Sequence, residues 1–169
     1  SNSDGQLGDA SHVDRHIPTE IAYPFSDQAD YVGLALGDRH TCALGDFYVA
    51  TEVSCWGRNA RGQLGDGTTT STFGGTPVTG LSGVTGVVAG RQFSCAVANG
   101  SGDAWCWGAN SRGQLGDGTF DDRHLPTPVA TDRFVAAMSA GPDATMACAV
   151  VADEAEGGGF GVLCWGENG

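Results

Sequence analysis

The sequence predicts an all-β fold: three β-propeller-type repeats of about four short antiparallel strands each, forming an incomplete propeller. Three observations predict it. The string Gly-Gln-Leu-Gly-Asp occurs at residues 5–9, 62–66 and 113–117. Cys-Trp-Gly occurs at Cys55–Gly57, Cys106–Gly108 and Cys164–Gly166, always in the same order relative to the first string. Between these strings, short apolar runs alternate with turn residues, and no stretch places apolar residues at helical spacing.

The elements follow in order within each unit. A Pro-Val segment opens it, around Pro18–Ile21, Pro77–Thr79 and Pro128–Ala130. A second strand is expected at Tyr31–Leu36, Val84–Ala89 and Phe134–Ala140, each followed by a glycine turn. A third is expected at Thr41–Leu44, Ser94–Ala98 and Met146–Val151, and a fourth at Val53–Trp56, Ala104–Trp107 and Val162–Trp165. Four strands in roughly 50 residues is the content of one propeller blade. The domain reading is therefore residues 1–169 as three repeats, open at both ends. Aligned on each other, the copies put Ser1 just after the position of Gly57, and Glu167 at the start of a linker toward another Gly-Gln-Leu-Gly. The chain is expected to be part of a longer array.

Composition narrows the partners. Eight arginines, no lysine and 20 carboxylates give a formal net charge of −12. Nucleic acid and anionic membrane surfaces both require clustered cations, so neither is the expected partner. The 28 glycines suit strands joined by tight turns. The longest apolar run, Met146 to Ala152, is far too short for a membrane helix.

Six cysteines fall as three pairs, Cys42 with Cys55, Cys95 with Cys106, and Cys148 with Cys164. Each pair brackets one hairpin. If Cys95 opposes Cys106, then Val97 opposes Ala104 and residues 99–102 form a four-residue turn. Directly opposed antiparallel residues have Cα atoms about 4.5–5.5 Å apart, within disulfide range. Three cross-strand disulfides are expected, and with them an oxidising compartment. Reduced cysteines packed as small apolar residues are the competing reading. Zinc lacks any Cys-x-x-Cys spacing.

Other motifs read as structural. Trp56, Trp107 and Trp165 recur at one position, which suits packing of blade on blade better than a stacking platform for ligands. The Gly-Gln-Leu-Gly-Asp loops lack the lysine of a phosphate loop and offer only one carboxylate each toward calcium. No nucleophile elbow or His-Glu-x-x-His occurs, and most ionisable residues are repeated or scattered. No cofactor, metal or catalytic residue is assigned, and the chain is not expected to be an enzyme. Asn99-Gly100-Ser101 is a glycosylation sequon that serves equally as a turn.

The segment Gly37-Asp38-Arg39-His40-Thr41-Cys42-Ala43-Leu44, followed by Cys55-Trp56-Gly57-Arg58-Asn59-Ala60-Arg61-Gly62-Gln63-Leu64-Gly65, resembles the regulator-of-chromosome-condensation repeat family. The third copy repeats it as Trp107-Gly108-Ala109-Asn110-Ser111-Arg112-Gly113-Gln114-Leu115-Gly116. The resemblance covers nearly the whole chain. It implies a seven-bladed propeller, which three repeats cannot close. Members of the family act as nucleotide-exchange factors on a small GTPase, bind chromatin, inhibit secreted hydrolases or serve as interaction domains. This chain departs from the pattern at Phe93, where the first copy has His40, and in two extra residues between Gly141 and Cys148.

Specificity in repeat scaffolds sits in loops peculiar to one copy. Two such loops stand out, one carrying Phe47 and Tyr48, the other Asp153, Glu154, Glu156 and Phe160. Trp105 occurs in a single copy and is the better surface candidate among the tryptophans. These residues are the expected contacts for another protein, by aromatic anchoring or by attraction to a basic surface. The leading functional reading is a secreted or surface-exposed, non-enzymatic binding scaffold. A cytoplasmic exchange factor for a small GTPase and a purely structural array are the alternatives. Self-association through the open blade edges is also expected.

Overall fold

The computed structural model describes residues 1–21, 30–46, 51–98, 102–153 and 158–167. Eleven strands form among them: β1 (Asp30–Leu36), β2 (His40–Asp46), β3 (Thr51–Gly57), β4 (Thr72–Pro77), β5 (Val84–Ala89), β6 (Phe93–Ala98), β7 (Ala104–Gly108), β8 (Arg123–Pro128), β9 (Val135–Ser139), β10 (Met146–Asp153) and β11 (Gly159–Gly166). No helix occurs among the described residues. The strands make three antiparallel sheets in the orders β1-β2-β3-β4, β5-β6-β7-β8 and β9-β10-β11. The first strand of each sheet packs against the first strand of the next, so the sheets fan from one side, as in a segment of a propeller.

Three of the four expected strands lie close to their predicted places, and the Pro-Val strand does not. It lies earlier, at β4 and β8, and ends at Pro77 and Pro128. Residues 18–21 form no strand. Proline donates no ladder hydrogen bond, so it marks the end of an edge strand and does not open a pairing. The strand also closes the preceding sheet, not the following one: Cys55 faces Thr76, and Cys106 faces Thr127.

Two cores follow from the alternation of side chains across each sheet. Between the first two sheets, Ala35, Cys42, Leu44, Val53 and Cys55 meet Val84, Ala89, Ala96 and Trp107. Between the second and third, Phe93, Cys95, Val97, Ala104 and Cys106 meet Val135, Ala147, Ala149 and Val151. Leu64 and Leu115, from the Gly-Gln-Leu-Gly loops, are fully buried in these cores. On its outer face the first sheet buries Ala43 and Trp56 in a third, small cluster with Ile21, while the rest of that face and the outer face of the third sheet are apolar and exposed. The first sheet exposes Val32, Leu34 and Leu36, and the third exposes Val150, Phe160 and Val162.

Candidate interaction surfaces

The residues that recur in every copy are used up by the scaffold. Each Gly-Gln-Leu-Gly loop leaves its own sheet and docks on the next. Its glutamine carbonyl accepts the indole N–H of that sheet's tryptophan: Trp56 to Gln6 at 3.1 Å, Trp107 to Gln63 at 2.9 Å, and Trp165 to Gln114 at 3.0 Å. The contact requires glycine, because Gly65 has φ +71° and a Cβ there would stand 2.7 Å from Trp107 Nε1. Sequence reasoning passed over the hub of each loop, a fully buried asparagine at Asn2, Asn59 and Asn110. Asn59 Oδ1 accepts from the Leu64 N–H at 3.0 Å, and its amide group donates to Asp66 and to the carbonyls of Thr68 and Thr70. Its place three residues before each Gly-Gln-Leu-Gly string was the available signal. Two of the loop aspartates, Asp9 and Asp117, are held ionised. Burial opposes the Asp117 charge, but hydrogen bonds from Arg123, Thr119 and Asn110 outweigh it and lower its pKa to about 2.

The cysteine pairs are joined as Cys42–Cys55, Cys95–Cys106 and Cys148–Cys164. The first two lie fully buried inside the two cores, whereas Cys164 is exposed on the open face of the third sheet. Beside the first disulfide, the buried His40 crosses to the second sheet. Its Nε2 lies 2.8 Å from Ser94 Oγ, and that hydroxyl donates to the Gln63 carbonyl at 2.9 Å. Ser94 therefore accepts from His40 Nε2–H, and burial keeps the ring neutral by lowering its pKa to about 4.

One end of the array, the hairpin rim, carries the β2–β3, β6–β7 and β10–β11 connections. Phe47, Tyr48, Glu154 and Glu156 lie outside the described residues, as does the sequon at residues 99–101. Asp153 ends β10, and Phe160 is 71% exposed on β11. Trp105, half-buried on β7, lines a cleft of about 280 Å³ with Asp103, Pro128 and Arg133. Of the described contact residues, Trp105 on β7 and Phe160 on β11 thus belong to different sheets.

The opposite end, the turn rim, was not singled out from the sequence. It carries the β1–β2 and β5–β6 turns and the Gly-Gln-Leu-Gly loops, and with them Arg39, Arg58, Arg61, Arg91 and Arg112. Five of the eight arginines thus stand at one end of an acidic chain. A cleft of about 290 Å³ there is lined by Arg61, Arg91, Gln92, Arg112, Gln114 and Glu167, among others. Arg61 pairs with Asp122 at 3.0 Å and Arg112 with Glu167 at 3.0 Å, while Arg91 makes no ion pair among the described residues. Among those residues no three His, Cys, Asp or Glu side chains group as metal ligands.

The model of the Regulator of chromosome condensation (RCC1) repeat matches residues 1–44, 52–97 and 101–148. The chain belongs to the RCC1 repeat family. It is 32% identical over 127 residues to the Ultraviolet-B receptor UVR8 of Arabidopsis thaliana, covering 75% of this chain and 28% of that protein. It is 33% identical over 135 residues to the Mus musculus protein named Probable E3 ubiquitin-protein ligase HERC4, covering 79% of this chain and 12% of that one. Among solved structures, human WBSCR16 superposes with a TM-score of 0.76 at 25% identity, over 98% of this chain and 41% of its own. Prp20p of Saccharomyces cerevisiae gives 0.70 at 19% identity, over 100% and 39%, a likeness of fold. The chain thus spans well under half the length of these RCC1 relatives.

Proposed function

We propose that this chain is a non-enzymatic, protein-binding stretch of an RCC1-type propeller that works in an oxidising, extracellular or cell-surface setting. One observation carries the reading: the recurring Gly-Gln-Leu-Gly loops, tryptophans and asparagines are engaged in the latches, whereas copy-specific side chains such as Trp105, Phe160 and Arg91 stand at the rims. Shared residues hold the scaffold, and differing ones are free to recognise a partner. The Prp20p structure is described with its binding to Gsp1p and histones, which supports a protein as the partner class. The disulfides support the compartment, because cytosolic thiols stay reduced.

Exchange-factor activity in the cytoplasm is the second reading, favoured by the fold likeness to Prp20p. Intact mass of the non-reduced protein from its native source, with and without thiol alkylation, separates the two. No alkylation is expected. Six alkylated thiols overturn the extracellular reading and favour the cytoplasmic one. Photo-crosslinkers placed at Trp105 and Phe160 test partner binding itself, and the expected result is a defined cross-linked protein species.

A further inference from the structure

We propose that the turn-rim cleft between the second and third sheets is the docking site for an acidic peptide segment of the protein partner, an inference that rests on the scaffold reading above. Equivalent positions in the first two copies carry opposite charge. In the first copy, the loop position is Asp4 and the facing turn carries Asp38 and Arg39. Arg39 lies 3.2 Å from Asp4 and 3.6 Å from Asp38, so its guanidinium is taken up by two carboxylates and the cluster is net negative. In the second copy the same three positions are Arg61, Arg91 and Gln92. Two carboxylates and a guanidinium have become two guanidiniums and an amide. The next loop then adds Arg112 to the same cleft.

This charge reversal is not explained by the scaffold. The net-negative version in the first copy builds the same latch, with the Gln6 carbonyl accepting from Trp56 as the Gln63 carbonyl accepts from Trp107. Arg61 and Arg112 are each satisfied by a single carboxylate at the cleft margin, with side chains 55% and 58% exposed, and keep further donors for a ligand. Arg91 is exposed and its guanidinium has no ion-pair partner among the described residues. Guanidinium forks match carboxylates in bidentate geometry, and Gln92 and Gln114 add amide donors and acceptors suited to a peptide backbone.

A partner carrying Asp and Glu side chains fits better than a nucleic acid. Asp122 and Glu167 flank the cleft and would repel a continuous phosphate track, whereas spaced carboxylates can reach the three arginines singly. The overall charge of −12 does not forbid this, since screening beyond about 8 Å at physiological salt leaves the local field dominant.

The test uses the full disulfide-bonded chain and a fluorescein-labelled Glu/Asp-rich decapeptide, read by anisotropy. The controls are its Gln/Asn counterpart, a single-stranded oligonucleotide and inorganic phosphate. Saturable binding of the acidic peptide is expected, weakening with salt and falling about tenfold in the R61E/R91E double variant. R133Q at the hairpin rim should leave it unchanged. Thermal melting and intact mass confirm that the variant is folded and oxidised. Equal binding of the Gln/Asn peptide, tighter binding of the oligonucleotide or of phosphate, or no effect of R61E/R91E overturns the proposal. No binding at all also overturns it. In that case, persistent cross-linking from Trp105 or Phe160 leaves the scaffold reading standing, and loss of both signals removes both.

Discussion

His40 illustrates how one residue couples two blades. It sits where the second copy has Phe93, so the position tolerates a flat ring with or without polar atoms. Its polar version adds the link through Ser94 to Gln63, at the cost of burying a titratable group. The folded pKa of about 4 lies below the ordinary 6.5, so between these values the unfolded chain binds a proton that the folded one refuses. The stability that neutral His40 permits is complete above pH 6.5 and is lost as the pH falls toward 4, by about 3 kcal/mol through linkage. Asp9 and Asp117, held at about 2, lose their contribution only below pH 4. Chemical denaturation from pH 7 to 4.5 should therefore show a loss in the native protein that His40→Phe removes. An unchanged pH profile in His40→Phe would assign the acid sensitivity elsewhere.

At the scale of elements, the three hairpins share a cross-strand disulfide and differ in its surroundings. Cys42–Cys55 and Cys95–Cys106 are covered by the next sheet, while Cys164 stands on an open face. Thiol–disulfide exchange requires access to sulfur. Mild dithiothreitol followed by alkylation and peptide mapping is expected to label Cys148 and Cys164 well before the other four. Simultaneous labelling of all six would mean that the interfaces open as fast as the free face. Each bridge closes a short loop, with sequence separations of 13, 11 and 16, worth about 3 kcal/mol against the reduced unfolded chain. Paired Cys95→Ser and Cys106→Ser changes should cost more than that, because they also place hydroxyls in a dry core. The measurement is the denaturation midpoint of the paired variant against the native chain.

At the scale of the whole molecule, the outer faces are the two halves of a contact that the chain already makes twice internally. The face of Val32, Leu34 and Leu36 belongs to the same half as the Ala96–Trp107 face of the second sheet, and the face of Val150, Val162 and Cys164 repeats the Cys42–Cys55 side. Such complementary, non-identical patches associate head to tail. Sedimentation velocity of the isolated chain should show mass rising with concentration. Leu34→Asp or Val162→Asp should return it toward the monomer without loss of folding, since both side chains are more than 60% exposed. A native chain that stays monomeric at high concentration would refute this.

Much of this molecule was legible in the residues themselves. Recurring Gly-Gln-Leu-Gly-Asp and Cys-Trp-Gly strings determined the number of repeats, and alternation determined the hairpins. The spacing of Cys95 and Cys106 determined a register, Val97 opposite Ala104, that the structure contains. Those features are local: strand pleat, turn geometry and the reach of a disulfide act within a few residues of each other. Two things were decided only by the tertiary structure. One is that β4 and β8 close the preceding sheets, because a repeating sequence has the same period wherever the blade boundary is drawn. The other is the arginine cleft, because Arg61, Arg91 and Arg112 come from separate connections and meet only once the loop after β3 has docked on the sheet that follows.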